Sequence, residues 1–549
     1  MLRGSVLTII EVGMTVLTLL CAIGWPLLGN GFFRAIENWG ARSARKRALI
    51  VVFCGVSPIC IRLCILPVKP IPQPSVHDEF SHLLAGETFA SGRLANPVHP
   101  MWVHFETFHE DQQPTYMSMY PPAQGLTLAM GRVFFGHPWY GVCITMGLMC
   151  GAICWMLYGW LPPAWALLGG ILVVLRIGVS SYWMNSYWGG GASAVGGALL
   201  LGALPRLLRR PRLTTALIIG LGLAILANTR PYEGIVLSVA ASVPLIAWLL
   251  GSKRPSWRVA LLHVLTPLTA LLLVVACAMA YYNWRVFGSP ATLPYQVNRA
   301  TYAIAPVFLW NSPQPEPIYR HWMMRRFYVD WELPVYQAAH TFSGFFAAIG
   351  TKIGLLVMFF LGPSLIVPLI MLPRVIRDRR VKWLVLAAVV YLAGLSGNAF
   401  SVPHYLAPAT ALFYALVIQA MRHLRMWRLE GQPSGRFLVR VLPALCVVMF
   451  MLQVVRDVSS PTGDLPRTVV QRSLEALPGR QVALVRYAPD HDPMGEWVYN
   501  AADIDGSKVV WARDMSASDN AALLNYFSDR KAWLVEPDAI PPKVSPYVP

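Results

Sequence analysis

Hydrophobic positions along the chain gather into long unbroken runs rather than into short alternating ones. Runs long enough to cross a bilayer as helices lie at about 5–29, 48–67, 138–158, 164–180, 189–208, 213–228, 234–250, 259–282, 345–372, 382–397, 405–421 and 437–455. The pattern predicts about twelve transmembrane helices. A further apolar run, PAQGLTLAMGRVFFG at 122–136, is too short to span and carries Arg132, so a helix lying along the membrane surface is expected there. After residue 455 the pattern changes. QVALVRY, SKVVWARD and KAWLVEP have strand composition, and DNAALLNYFSDR between the last two has helical spacing. The expected fold class is therefore mainly α, a polytopic membrane protein occupying residues 1–455, followed by a small α/β domain over 456–549.

Charge gives this layout an orientation. Basic bursts occur at Arg34/Arg42/Arg45/Lys46/Arg47, Arg206/Arg209/Arg210/Arg212, Lys253/Arg254/Arg258, Arg374/Arg377/Arg379/Arg380/Lys382 and Arg422/Arg425/Arg428. Placing every burst in the cytoplasm satisfies the parity of the spans between them. The N-terminus, the loops at about 68–137 and 283–344, and the tail then lie on the opposite, extracytoplasmic side. The first apolar run contains Glu11 and is long, which favours a retained span over a cleaved signal.

Composition narrows the class further. Of 549 residues 56% are hydrophobic and 13% charged, and the mean hydropathy is +0.49. The net charge of +18 is spread over the loop bursts, not over a basic face interleaved with aromatics, so no nucleic-acid partner is expected. All nine cysteines fall in apolar stretches, which excludes a disulfide framework and a CxxC metal site. No internal repeat is evident, which weighs against transporters built on inverted repeats.

The candidate chemistry centres on VHDEFSHLLAGETFASGRL, residues 76–94, which follows the span ending near Pro67 across the Pro-rich linker LPVKPIPQP. Its acidic pair, Asp78 and Glu79, stands just outside the bilayer at the start of a predicted surface helix. There a carboxylate can take a proton from an acceptor hydroxyl; capping of the helix N-terminus is the alternative. Further along the same loop come His99, His104, Glu106, His109, Glu110 and Asp111, of which Glu106 in HFETF is the candidate second carboxylate. No HxH or HExxH pattern is present, so a divalent metal is possible but not favoured, and no cofactor is expected. Asp490, His491, Asp492 and Glu496 in the tail read as a solvated loop in preference to a metal site.

Three more segments reach the same side. SYWMNSYWGGG offers Asn185, Tyr187 and Trp188 as a sugar-stacking platform, or as an interfacial aromatic belt. NTRPYEG offers Arg230, which can pair with a phosphate or with the neighbouring Glu233. SVPHYLAP offers His404 and Tyr405 as phosphate contacts or as a helix cap. Basic residues in the second loop, Arg320, His321, Arg325 and Arg326, can meet a lipid phosphate or stay solvated.

The DE pair, the His-rich loop ending in YPP, the basic residue at Arg230 and the late HYLAP together resemble the GT-C glycosyltransferases, in particular the protein O-mannosyltransferase and aminoarabinose transferase branch. The resemblance covers roughly residues 48–421. It implies a bacterial plasma-membrane enzyme with a periplasmic active site, moving a sugar from a polyprenyl-phosphate donor to a glycan, lipid or protein acceptor. It also implies Asp78 as general base with Glu79 beside it, and Arg230 near the lipid phosphate. The chain departs from the pattern in its extra N-terminal span and in His404-Tyr405 where Arg-Tyr is common. A metal-dependent enzyme resembling oligosaccharyltransferases, and a non-enzymatic lipid or sugar transporter, are the alternatives.

Overall fold

The computed structural model describes residues 2–252, 254–459 and 463–548; Lys253 of the third basic burst lies outside them. The chain runs through α1 (Leu2–Gly24), α2 (Asn30–Ser43), α3 (Arg47–Cys64), α4 (His77–Ala90), α5 (Pro122–Phe135), α6 (Trp139–Trp160), α7 (Pro163–Val173), α8 (Gly191–Arg209), α9 (Leu213–Ala227) and α10 (Pro231–Leu250). There follow α11 (Trp257–Phe287), α12 (Phe342–Ile376), α13 (Lys382–Ser396), α14 (Pro403–Leu424) and α15 (Ser434–Ser459). Among the described residues nine helices are long and apolar enough to span a membrane, and three shorter apolar ones, Pro163–Gly178, Leu213–Ala227 and Lys382–Ser396, bring the set to the twelve positions the hydropathy pattern marks.

The spans divide into a core and a periphery. The apolar windows of α6, α8 and α14 are 72%, 78% and 89% buried inside the protein, whereas those of α1, α3 and α11 are 22%, 22% and 17% buried. A helix that is apolar all round needs either protein or lipid on every side, and the outer ones present their Leu, Val and Ile to lipid. Close approach in the core depends on small residues. A Cβ on Gly147 of α6 would lie 2.5 Å from the Gly55 carbonyl of α3, and one on Gly222 of α9 would lie 2.8 Å from the Gly196 carbonyl of α8. The N-terminal span is tied in by charge: Arg176, in the widened turn that ends α7, bonds Glu11 at 3.0 Å, and Ser364 Oγ donates to the same carboxylate at 2.6 Å. In a medium without water each of these groups needs the other.

Helix α5 packs against α4 and α6, with Gly125 facing Ala85 and Gly86 facing Leu128. A short hairpin, β1 (Glu110–Asp111) with β2 (Met117–Ser118), closes the first long loop. Beyond α15 come α16 (Pro466–Glu475), β3 (Arg480–Val485), β4 (Val509–Arg513), α17 (Ala517–Tyr526), β5 (Arg530–Glu536) and β6 (Lys543–Pro546). The strand order is β4-β3-β5-β6; β3 is parallel to both neighbours and β6 antiparallel to β5. Strand β3 is buried along nearly its whole length, as parallel strands covered on both faces are. This sheet does not stand apart: Leu84 of α4, Phe105 and Tyr116 share one apolar core with Val482, Leu484, Val510 and Phe527.

Candidate active site

The approach to α4 is rigid. Arg62, at the end of α3 and wholly buried, donates to the carbonyls of Lys69 and Pro70, each at 2.9 Å, and to Asn185 Oδ1 at 3.0 Å, with its guanidinium 4.6 Å from the centre of the Trp139 ring. Lys69 pairs with Asp457 at 2.7 Å. A buried guanidinium needs all of these acceptors, and meeting them fixes the Pro-rich linker.

Glu79 then takes the N-terminus of α4. Its Oε2 accepts from the backbone N–H of Ser75 at 2.8 Å and of Val76 at 3.3 Å, and its Oε1 accepts from the N–H of Tyr187 at 3.0 Å. It is 2% exposed, and burial raises its pKa. Both oxygens serve the backbone, so Glu79 caps the helix and ties it to the 181–190 segment.

Asp78, the neighbouring residue, faces elsewhere. Its Oδ1 accepts a hydrogen bond from the Tyr120 hydroxyl, and its Oδ2 lies 3.7 Å from His109 Nδ1, which is itself 3.2 Å from the Tyr120 oxygen. The carboxylate is 20% exposed. His82, one turn further along α4, stacks on Tyr120 at 4.4 Å. Arg230, the residue before α10, lies over the Tyr405 ring at 4.6 Å. Glu233 acts on it electrostatically but is beyond ion-pair distance; among the described residues no carboxylate lies within 4.0 Å of Arg230. The charges of Asp78 and Arg230 both act on His82, Tyr120 and Tyr405, so carboxylate and cation influence the same three side chains. Burial lowers the His82 pKa to about 3, leaving a neutral imidazole.

The remaining sequence candidates separate. His404 is 2% exposed and bonds the Tyr182 hydroxyl at 2.9 Å through Nδ1, with Trp188 packed 4.8 Å away. Tyr405 lies under Arg230, and Trp188 is half-buried beside His404. Asn185 and Tyr187 do not form the sugar platform read from the sequence. Asn185 spends its amide on Arg62 and on the carbonyls of Val179 and Ser181, and Tyr187 is 2% exposed with its hydroxyl donated to the Pro72 carbonyl at 2.8 Å. The segment turns inward because its polar groups are needed by the linker below it. Glu106 is likewise placed away from Asp78: it accepts from Tyr302 at 2.9 Å and Arg320 at 3.1 Å, and its carbonyl accepts from Arg513 of β4 at 2.7 Å. In the tail, Glu496 pairs with Arg513 at 2.6 Å and His491 with Asp538 at 2.5 Å. Among the described residues no three His, Cys, Asp or Glu side chains converge as a metal site would require.

Sequence reasoning did not single out Tyr120, His82 or Tyr295, and took His109 only as part of a His-rich loop. Tyr120 stands 42 positions from Asp78, and nothing local marks the pairing. The one available signal is the YPP sequence, which stops the loop beside α4 and aims the tyrosine at it.

No family model and no curated protein sequence matches the chain. Solved structures do. ArnT from Cupriavidus metallidurans bound to undecaprenyl phosphate is similar at 12% identity, over 93% of each chain, with a TM-score of 0.50. Archaeal oligosaccharyltransferase AglB from Archaeoglobus fulgidus, in complex with an inhibitory peptide and a dolichol-phosphate, is similar at 10% identity over 89% of this chain and 69% of that one, also at 0.50. The chain shares its polytopic, mainly α-helical fold with these structures.

Proposed function

We propose that the chain is a glycosyltransferase that takes a sugar from a polyprenyl-phosphate donor and passes it to an acceptor hydroxyl on the extracytoplasmic side of a bacterial plasma membrane. The observation that carries this reading is that Asp78 and Arg230 act on the same side chains, His82, Tyr120 and Tyr405, while Asp78 accepts from the neutral Tyr120 hydroxyl and, among the described residues, no carboxylate lies within 4.0 Å of Arg230. The two GT-C neighbours were solved with lipid phosphates, undecaprenyl phosphate on ArnT and dolichol-phosphate on AglB, which supports the donor class. The sidedness rests on charge. Apart from the buried Arg62 and from Arg230, the helices that bring residues to the site have basic residues at the other end: Arg47 starts α3, Arg206 and Arg209 end α8, Arg254 follows α10, and Arg422 ends α14.

In the proposed reaction the acceptor oxygen attacks the anomeric carbon and its proton passes to Asp78. The bond from that carbon to the phosphate oxygen breaks with its electron pair on the polyprenyl phosphate, and the configuration inverts. A phosphate leaves without protonation when its growing charge is met, and Arg230 supplies the positive charge. Glu79 holds the helix that presents Asp78. Mass spectrometry of envelope glycans and lipids from cells lacking the gene, complemented by wild type or by Asp78→Asn, tests this. A sugar absent from the deletion strain, restored by wild type and not by the variant, is expected. Full restoration by a stably produced Asp78→Asn would overturn the base.

A further inference from the structure

The side chains that hold Asp78 are themselves held with unusual care. His109 has a backbone φ of 61°, a left-handed conformation that costs a non-glycine residue about 1 kcal/mol or more. That conformation is locked at its carbonyl, which accepts from Ser81 Oγ of α4 at 2.6 Å and from the Met119 N–H at 3.1 Å. The strained turn brings the imidazole to both Tyr120 and Asp78, while Phe327 closes it in at 5.9 Å. Tyr120 is in turn clamped between the His82 ring at 4.4 Å and Tyr295 at 6.2 Å. Backbone strain met by two dedicated hydrogen bonds and leading to one carboxylate is a built arrangement.

Building on the reading of Asp78 as the base, we propose that Tyr120 and His109 are positioning residues that orient its carboxylate and fix which oxygen faces the acceptor. A lysine or arginine in their place would also hold the anion, but would strip it of basicity. A phenol and a neutral imidazole fix the geometry and leave a carboxylate still able to take a proton. The titratable groups that act on Asp78 or are acted on by it are His77, His82, His109, Tyr120, Tyr182 and Tyr405, with Arg230 beyond them. Burial holds His77 near 4 and His82 and His109 near 3, so none of the three changes charge above pH 5.

The test reads the protonation of Asp78 directly. Dicyclohexylcarbodiimide couples to protonated carboxyl groups in apolar surroundings; the full chain in detergent is labelled across pH 4 to 9 and the adduct on the Asp78 peptide quantified by mass spectrometry. Loss of a hydrogen bond to a charged acceptor favours the protonated form, so Tyr120→Phe is expected to move the labelling midpoint upward by about one pH unit. His109→Asn, which suits the left-handed backbone, is expected to move it upward by less. In complemented cells, Tyr120→Phe should lower the product about tenfold while the protein's thermal midpoint stays near wild type. A midpoint unmoved in both variants overturns the positioning role, even with Asp78→Asn inactive. An active Asp78→Asn overturns the base reading instead, so the two failures are separate.

Discussion

Asp78 and Glu106 lie on one long loop, 28 positions apart, and the fold treats them in opposite ways. Glu106 is 1% exposed and paired with a cation, Arg320 at 3.1 Å, with the neutral His321 Nε2 at 3.5 Å. Its backbone carbonyl binds Arg513 from the terminal sheet, and Tyr302 reaches it from the second loop. It is the point at which two loops and the sheet are fastened together. Asp78 is 20% exposed; it is bonded by the Tyr120 hydroxyl, with the neutral His109 imidazole 3.7 Å away. A carboxylate paired with a cation is committed to that ion pair, whereas one bonded by a neutral phenol is not. The choice of partner, more than position on the loop, separates Glu106 from the carboxylate proposed as the base.

The strongest way to break this contrast is to neutralise each in turn. Asp78→Asn should lower product formation on the order of a hundredfold or more, with an unchanged thermal midpoint. Next in size, Arg230→Gln should lower it by roughly ten- to a hundredfold and weaken binding of undecaprenyl phosphate measured by native mass spectrometry. Equal lipid binding in that variant would remove Arg230 from the phosphate. Glu106→Ala should do the reverse of Asp78→Asn: a loss of about 2 kcal/mol of stability, seen as a lower thermal midpoint, with turnover per folded molecule within a few-fold of wild type.

The membrane fold was legible because lipid demands long apolar runs; all twelve expected spans meet helices. The strands β3, β4 and β5 were legible as apolar runs between charges. Strand β6, in the proline-rich PPKVSPYVP, and helix α16 were not, because each has too few apolar residues to carry a period and is held by its neighbours. Within the site the limits are of another kind. The capping role that Glu79 plays is local, and was readable beside the catalytic one. Tyr120 and His109 meet Asp78 only through the closure of the loop, and the inward turn of Asn185 and Tyr187 depends on Arg62, more than 120 positions away in sequence from Asn185. Polar aromatic sequence says that a segment meets an interface; it does not say which side chains face outward.

A third carboxylate on the same loop sharpens the comparison with the smallest effect. Asp111, one residue into the β1 hairpin, is 2% exposed; Asn298 donates to its Oδ1 at 3.0 Å and its Oδ2 has no partner among the described residues. With neither cation nor access to water, burial raises its pKa to about 7. The unfolded chain ionises this group near pH 4 and the folded chain near pH 7, so the folded state binds the extra proton between those values. Stability contributed by that proton is complete below about pH 4 and is lost as the pH rises to 7 and slightly beyond. From pH 6 to pH 8 the loss amounts to roughly 1 kcal/mol, so the thermal midpoint of the wild type should fall over that interval. Asp111→Asn keeps the shape and the acceptor for Asn298 and has no proton to lose, so its midpoint should fall less. A wild-type midpoint that stays level from pH 6 to pH 8, or an equal fall in both proteins, would show that Asp111 is ionised in the fold, and that burial without a cation does not by itself keep a carboxyl on this loop protonated.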